Sequence, residues 1–212
     1  DGSYPVMAGV LGTTLMEIPP SANFSYLAHD AGTIALLSQN ITLANKWYEM
    51  VRGRAAQSDI EATKALMNLW PLMLVSDLEN KIPFGAEVID LWLKSLEILS
   101  KEDRQKKAST FFGVIEALGY DVPENLWDNL LDIGPQDILQ MPSLVIWRKM
   151  ALAQSKGLLG ESIVLGLIAL GDLGLAGADM SLLSSVISGL KRLGLEEEAR
   201  AMAVEILIGH EF

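Results

Sequence analysis

Few residues of this chain could carry acid-base chemistry. It has two histidines, His29 and His210, and no cysteine. His29 stands beside Asp30, but a Ser-His-Asp arrangement also needs a nucleophile on a sharp turn, and no Gly-x-Ser-x-Gly segment occurs. We therefore interpret His29 as an ordinary polar or half-buried residue and His210 as a tail residue.

Carboxylates offer a second possibility. Glu124, Asp128 and Asp132 are spaced by four, which places them on one helix face. A cation such as Ca²⁺ needs oxygens that converge from more than one element, so we interpret the row as a solvated acidic face. Glu87, Asp90 and Glu124 are candidates for the acid of a glycosidase, although carboxylates predict such an activity only once their separation is known. With no phosphate loop, dinucleotide fingerprint or zinc spacing, the sequence predicts no metal or cofactor.

Basic residues form the one unusual pattern. Half of the chain's 16 lysines and arginines lie in three segments that each end near a glycine. Those eight residues are Arg104, Lys106, Lys107, Arg148, Lys149, Lys156, Lys191 and Arg192. At about 100° per residue, Lys106, Arg148 and Arg192 point within about 40° of one another. We predict that these three, with Lys107 and Lys149, form a positive surface for an acidic or carboxylate-ended partner segment. The alternative is that they are solvated charges with no partner.

The elements that carry these residues are predicted from the glycines Gly119, Gly157 and Gly194, which are 38 and 37 residues apart. Apolar residues stand four, seven and eleven positions before each glycine. They are Ile115, Phe112 and Ala108, then Ala153, Met150 and Ile146, then Leu190, Ile187 and Leu183. Apolar residues and Tyr120 also stand one, eight and twelve positions after each glycine, as Tyr120, Trp127 and Leu131, then Leu158, Leu165 and Ala169, then Leu195, Met202 and Ile206. A fixed pattern at this period is typical of stacked helical hairpins joined at the glycines.

The same interpretation extends towards the N-terminus, with turns at Gln39 and Pro83 in place of glycine. We predict an all-α fold, a right-handed α-solenoid of about five antiparallel helical hairpins with a period of about 37–42 residues. The predicted hairpins cover about 24–53, 58–99, 102–133, 143–171 and 179–209 of a single domain over 21–212, while 1–20 is irregular or an incomplete first repeat. Their second helices should begin near residues 44, 86, 124, 162 and 199.

Two helices of this array carry more specific expectations. Pro71 removes a backbone donor, so the helix that contains it should kink or split near Trp70. The segment 163–170 is apolar on every side, which predicts a helix buried on all sides within the stack.

The segment Leu193-Gly194-Leu195-Glu196-Glu197-Glu198-Ala199 resembles the turn of a tetratricopeptide repeat, in which leucine and glycine close one helix and an alanine packs early in the next. This resemblance implies a scaffold that binds other proteins. The order of segments also resembles the helical C-terminal region of large bacterial envelope proteins of uncharacterised function. That second resemblance favours the periplasm or cell envelope over the cytoplasm.

Composition and charge exclude several classes of function. The net charge is −11 and the pI about 4.6, which argues against nucleic acid because phosphate binding depends on clustered cations. No apolar run reaches the roughly 18 to 20 residues that span a bilayer. The lack of cysteine is compatible with cytosol and periplasm alike. Residue 1 is Asp, so we expect the chain to be processed or part of a longer one.

These observations predict a non-catalytic protein-protein interaction or scaffolding module. It binds a segment of a protein or peptide partner, acidic in the hypothesis above, in the groove lined by the first helices of the hairpins. The apolar C-terminal residues Ile206, Leu207, Ile208 and Phe212 are expected to pack either on a partner or on another copy of the chain, which would make the protein self-associate. One alternative is an enzyme on a helical scaffold that acts on glycans. Another is a carrier whose Trp and Met residues line an apolar cavity, although these side chains fall mainly on predicted core positions.

Overall fold

The computed structural model describes residues 17–79, 81–128, 130, 143–171 and 174–212. The chain divides into two compact units, Asp1–Ile98 with Leu207–Phe212, and Leu99–Ile206. Every regular element within the described ranges is a helix, so the all-α prediction is confirmed. The helices pack against neighbours, which is compatible with a helical repeat.

The first unit is built from α1 (Ala28–Leu37), α2 (Ile41–Ala55), α3 (Ile60–Ser76) and α4 (Ala86–Ser95), with 3-10 segments at Ala22–Leu27 and Leu96–Ile98. The first three helices pack on one another, and α4 follows α3. The core between them consists mainly of small residues around one indole. Its buried members are Ala28, Ala31, Trp47, Val51, Ala62 and Ala65. Helices α1 to α3 therefore pack in the manner expected of consecutive hairpins.

Side-chain caps fix where two of these helices begin. The Asn40 carboxamide oxygen accepts from the Leu43 amide at 3.1 Å, and Asp59 Oδ1 accepts from the Ala62 amide at 3.1 Å. Asp59 Oδ2 also accepts from Arg54 Nη2 at 2.8 Å. The backbone hydrogen bond from Ala62, followed by the bond from Arg54, lowers the pKa of the Asp59 carboxyl.

Helix α3 corrects one expectation about Pro71. The helix continues from Ile60 to Ser76 with Pro71 inside it, so it is not split. Every residue of 69–76 is buried, and the packing of this segment outweighs the roughly 3 kcal/mol that an internal proline costs.

An aromatic cluster holds the C-terminal residues to the rest of the first unit. Trp92 lies between Trp70 and Phe212, with ring centroids 6.1 Å from each, and it stacks on Phe212 at an interplanar angle of 16°. Trp70 Nε1 donates to the Pro83 carbonyl at 3.0 Å. Phe212 is 7% exposed and Leu207 is fully buried. The C-terminal apolar residues predicted to meet another copy are therefore largely buried within the chain itself.

The second unit and the helix that leaves it comprise α5 (Lys101–Ala117), α6 (Glu124–Asp128), α7 (Leu144–Ser155), α8 (Leu159–Leu170), α9 (Gly174–Gly177), α10 (Met180–Arg192) and α11 (Glu196–Gly209). Helices α2, α4, α6, α8 and α11 begin within about three residues of the predicted second helices. The return helix of the third hairpin is the exception in length, since α6 has five residues. Leu131 and Asp132, which the sequence placed in this hairpin, lie outside the described residues.

The three glycine hinges adopt the predicted geometry. Gly119, Gly157 and Gly194 have φ values of 87°, 68° and 81°. In each case the amide of the following residue donates to the carbonyl five positions earlier, and the glycine amide donates to the carbonyl three positions earlier. This is the Schellman arrangement that closes a helix. The buried residues before the hinges include Phe112, Ile115, Met150 and Ile187, as the pattern predicted.

The order in which helices pack in the second unit differs from a stack in chain order. Such a stack would place α7 next to α5, between it and α10. Instead α5 packs chiefly on α10, which also contacts α7 and α8. Gly113 of α5 contributes to this pairing, because its missing Cβ would lie 3.4 Å from Met180 and 3.5 Å from the Ser184 hydroxyl. Helices α5, α7 and α8 thus all contact α10.

Candidate surface for partner binding

The five predicted binding residues fall into two groups. Lys106 on α5 and Arg148 and Lys149 on α7 are exposed. Within the described ranges, their charged ends make no hydrogen bond or ion pair. Lys107 is half-buried on α5, and Arg192, although exposed, is bonded to α7. The five predicted residues are therefore not equivalent, because only Lys106, Arg148 and Lys149 are available to a ligand.

Arg192 belongs to a contact that fixes α10 to α7. Its Nη2 donates to Gln154 Oε1 at 3.1 Å, and Gln154 Nε2 donates to the Ser185 carbonyl at 3.4 Å. The Gln154 side chain is 7% exposed and lies over Gly189, where a Cβ would collide with its amide nitrogen. A buried amide must have its hydrogen bonds satisfied, so Arg192 has a structural role here.

Lys191 performs the corresponding task towards α5. Its Nζ donates to the carbonyl of Leu118, at the C-terminal end of that helix. A cation is favourable there because the last carbonyls of a helix lack partners and carry partial negative charge. Gly119 leaves room for the ammonium, since a Cβ at this position would lie 2.7 Å from Nζ.

Two serines complete the seam between α10 and α5. The Ser184 hydroxyl donates to the Gly113 carbonyl at 3.2 Å, and the Ser188 hydroxyl donates to the Ala117 carbonyl at 3.3 Å. In the sequence, these serines share the polar side of an amphipathic helix with Lys191 and Arg192. That side is a hydrogen-bonded interface between helices, one that spacing within α10 could not reveal.

The hairpin of α7 and α8 carries a surface that the sequence did not predict. On α8, Leu159, Ile163, Val164, Leu167 and Ile168 are between 40% and 64% exposed. On α7, Leu144, Val145 and Leu152 are between 51% and 81% exposed, beside Arg148 and Lys149. The expectation that 163–170 is buried on every side is therefore wrong. Only the side with Ser162, Leu165 and Gly166 is buried.

The carboxylates considered for metal binding or glycosidase chemistry are at the surface. Glu87, Asp90, Glu124 and Asp128 are all exposed, while Asp132 lies outside the described residues. Within the described part of the chain, no three His, Asp or Glu residues cluster closely enough to hold a metal ion. The carboxylate row on α6 thus has the solvated character expected of it over residues 124–128.

His29 and three of the five tryptophans lie within or beside the core. His29 Nδ1 lies 3.5 Å from Asp30 Oδ1, and its side chain is 20% exposed. Trp47, Trp70 and Trp92 are at most 2% exposed. Packing therefore accounts for these three indoles.

None of the helices in the described ranges is both long and apolar enough to cross a bilayer. Comparison with protein-family models, with curated proteins and with solved structures finds no significant match to this chain. The resemblance to tetratricopeptide repeats therefore extends to helices packed against their neighbours and no further.

Proposed function

We propose that this protein is a non-catalytic protein-protein interaction module, and that it binds an acidic or carboxylate-ended segment of a partner through Lys106, Arg148 and Lys149. The observation that supports this most directly is that these three cations are exposed and, within the described ranges, unpaired. Lys191 and Arg192, from the same sequence pattern, are used inside the fold.

The surroundings of Arg148 and Lys149 also favour a protein ligand. The same helix exposes Leu144, Val145 and Leu152, so charged and apolar groups alternate on one surface. Protein interfaces combine buried apolar contacts with arginine, whose guanidinium binds carboxylates through two parallel hydrogen bonds. An acidic segment with apolar side chains has the complementary chemistry.

The arrangement of the first helices supports the proposal in part. Helices α1 to α3 pack on one another in chain order, and α10 contacts both α5 and α7. A partner segment that follows α10 would have Lys106 on one neighbouring helix and Arg148 and Lys149 on another. The binding surface then belongs to the helix order α5, α10, α7 and not to a solenoid groove.

A charge-reversal experiment tests the function. Lys106→Glu, Arg148→Glu and Lys149→Glu are combined, and the variant is compared with wild type in affinity capture of partner proteins. A matched control reverses Lys46, Lys64 and Lys94, which lie in the first unit and change the net charge by the same amount.

The expected result is loss of captured partners from the first variant alone, with wild-type capture weakening as salt rises. Equal capture by wild type and both variants would contradict the proposal. So would capture that is indifferent to salt.

A further inference from the structure

The outward side of α8 has the composition of a buried surface. Around a helix of 100° per residue, Leu159, Ile163, Val164, Leu167 and Ile168 occupy about half of the circumference, opposite the buried Ser162 and Leu165. Glu161 is the single charged residue of α8. A helix that is apolar all round is normally buried on all sides, yet among the described helices this one packs mainly on α7 and α10, which leaves its outward side exposed.

The exposed area is large enough for a stable interface. Together with Leu158 and with Leu144, Val145 and Leu152 of α7, the outward side chains of α8 present on the order of 1,000 Å². The largest apolar patch of a typical monomer covers roughly 300–600 Å². Each partner in a stable complex contributes about 800 Å². We call the patch on this hairpin the α8 face. Its area therefore exceeds that of the largest patch on a typical monomer and reaches the area that one partner contributes to a stable complex.

We propose that the α8 face binds the α8 face of a second copy of this chain, forming a two-fold symmetric dimer. An interface of this kind places the same patch on both subunits, so the patch must be complementary to itself. A strip of Leu, Ile and Val meets that condition because apolar side chains carry no charge, so two identical strips do not repel each other. Because Arg148 lies among Leu144, Val145 and Leu152 on α7, the two-fold axis must pass through α8, so that like charges do not face each other.

The charge of the chain makes the dimer distinguishable from binding of an acidic partner. Two copies, each with a net charge of −11, repel one another at long range, and salt screens this repulsion. Dimerisation through the α8 face should therefore strengthen as salt rises. Binding of an acidic segment to Lys106, Arg148 and Lys149 should weaken instead. Either proposal can fail while the other holds.

The test is sedimentation velocity of the full chain over a wide range of protein concentration, at low and high salt, with wild type, Leu167→Glu and Ile98→Glu. Leu167 is 64% exposed on α8, so glutamate there leaves the core of the fold intact. Ile98 is 90% exposed in the first unit and serves as the matched control. Circular dichroism verifies that all three proteins are folded.

The expected result is a concentration-dependent dimer for wild type and Ile98→Glu, with a dissociation constant at least about 100-fold higher for Leu167→Glu, because a carboxylate cannot be buried unpaired. A monomeric wild type at every concentration would overturn the proposal, as would equal dimerisation of the three proteins.

Other occupants of the α8 face are distinguished by two further measurements. If wild type is monomeric and its α8 amides resist hydrogen exchange, the face is covered within the chain and the proposal fails. If monomeric wild type floats with phosphatidylglycerol vesicles and Leu167→Glu does not, the occupant is a lipid surface, and the dimer is again excluded.

Discussion

The two units end their helices with the same hydrogen bonds but with different residues. In the second unit the residues with positive φ at the turns with this pair of bonds are Gly119, Gly157 and Gly194. In the first they are Gln39, Ser58 and Glu211, with φ values of 56°, 64° and 62° and the same pair of backbone bonds. Left-handed backbone is costly for residues with a Cβ. The packing of the first unit therefore imposes a turn that the second unit obtains from glycine.

The units also differ in how hairpins are arranged. Helices α1 to α3 pack consecutively, whereas α5 packs on α10, from two hairpins further along the chain. The apolar stripes of the two units are alike, so the stripes determine which residues face the core. The partner of each helix depends instead on contacts such as Ser184 with the Gly113 carbonyl. The sequence thus encodes the formation of helical hairpins separately from the order in which the hairpins pack.

The largest expected effect comes from the aromatic cluster of the first unit. Replacing Trp92 with alanine removes a side chain that is 2% exposed and leaves Trp70 and Phe212 without their common neighbour. We expect a loss of about 3–5 kcal/mol in the free energy of unfolding. Urea denaturation measures it, with Leu91→Ala as the control because Leu91 is 56% exposed. Similar losses in the two variants would show that the cluster is not formed.

Much of the fold could be predicted from the sequence. The spacing of Phe112, Ile115, Met150 and Ile187 indicated the core sides of the helices, and the glycines indicated three turns, because both depend on local geometry. The order of packing could not be predicted, since hydrogen bonds such as those of Ser184 and Ser188 join residues 71 positions apart. For the same reason, the sequence could not show which cations of the predicted surface are available to a ligand. Spacing cannot distinguish the exposed Arg148 from Arg192, which is bound to Gln154.

The contact between α5 and α10 is tested by replacing its two serines. We expect Ser184→Ala with Ser188→Ala to lower the free energy of unfolding by about 2 kcal/mol, because each hydroxyl donates to a backbone carbonyl of α5. Ser181→Ala, at an exposed position of the same helix, should change it by less than about 0.5 kcal/mol. Equal effects in chemical denaturation would contradict the packing of α10 on α5.

Substitutions at the left-handed helix ends should change the free energy of unfolding in opposite directions in the two units: introducing glycine in the first unit raises it, and removing glycine in the second lowers it. We expect Gln39→Gly and Ser58→Gly to stabilise the protein by about 0.5–1 kcal/mol each, since they relieve left-handed strain. Gly157→Ala and Gly194→Ala should destabilise it by about 1 kcal/mol, through the backbone alone, because the added methyl group would meet no atom within 4 Å at either position.

Thermal unfolding of these four variants gives the comparison. The control is Gly53→Ala in α2, where the added methyl group also meets no atom within 4 Å and should stabilise an ordinary helical position. If Gln39→Gly and Ser58→Gly destabilise the protein, the first unit does not hold its helix ends under strain.

The smallest effect at neutral pH concerns Tyr48 of the first unit. Burial raises the pKa of its phenol to about 12, against the opposing influence of Arg52. The pKa of this phenol is higher in the folded protein than in the unfolded chain. The contribution of the protonated phenol to the free energy of unfolding is therefore complete below about pH 10 and is lost as pH rises towards 12. We expect Tyr48→Phe to lose less stability than wild type between about pH 9 and 11 in urea denaturation. Parallel losses would contradict this burial.

The packing of α5 on α10 is tested most directly by disulfide formation, which the absence of native cysteine makes unambiguous. Gly113→Cys with Ser184→Cys joins α5 to α10, where a Cβ on residue 113 would lie 3.5 Å from the Ser184 oxygen. Gly113→Cys with Ala151→Cys joins equivalent positions of α5 and α7, as a stack in chain order would require. We predict rapid oxidation of the first pair, read by mass spectrometry of tryptic peptides, and none of the second. Oxidation of the second pair alone would contradict the account.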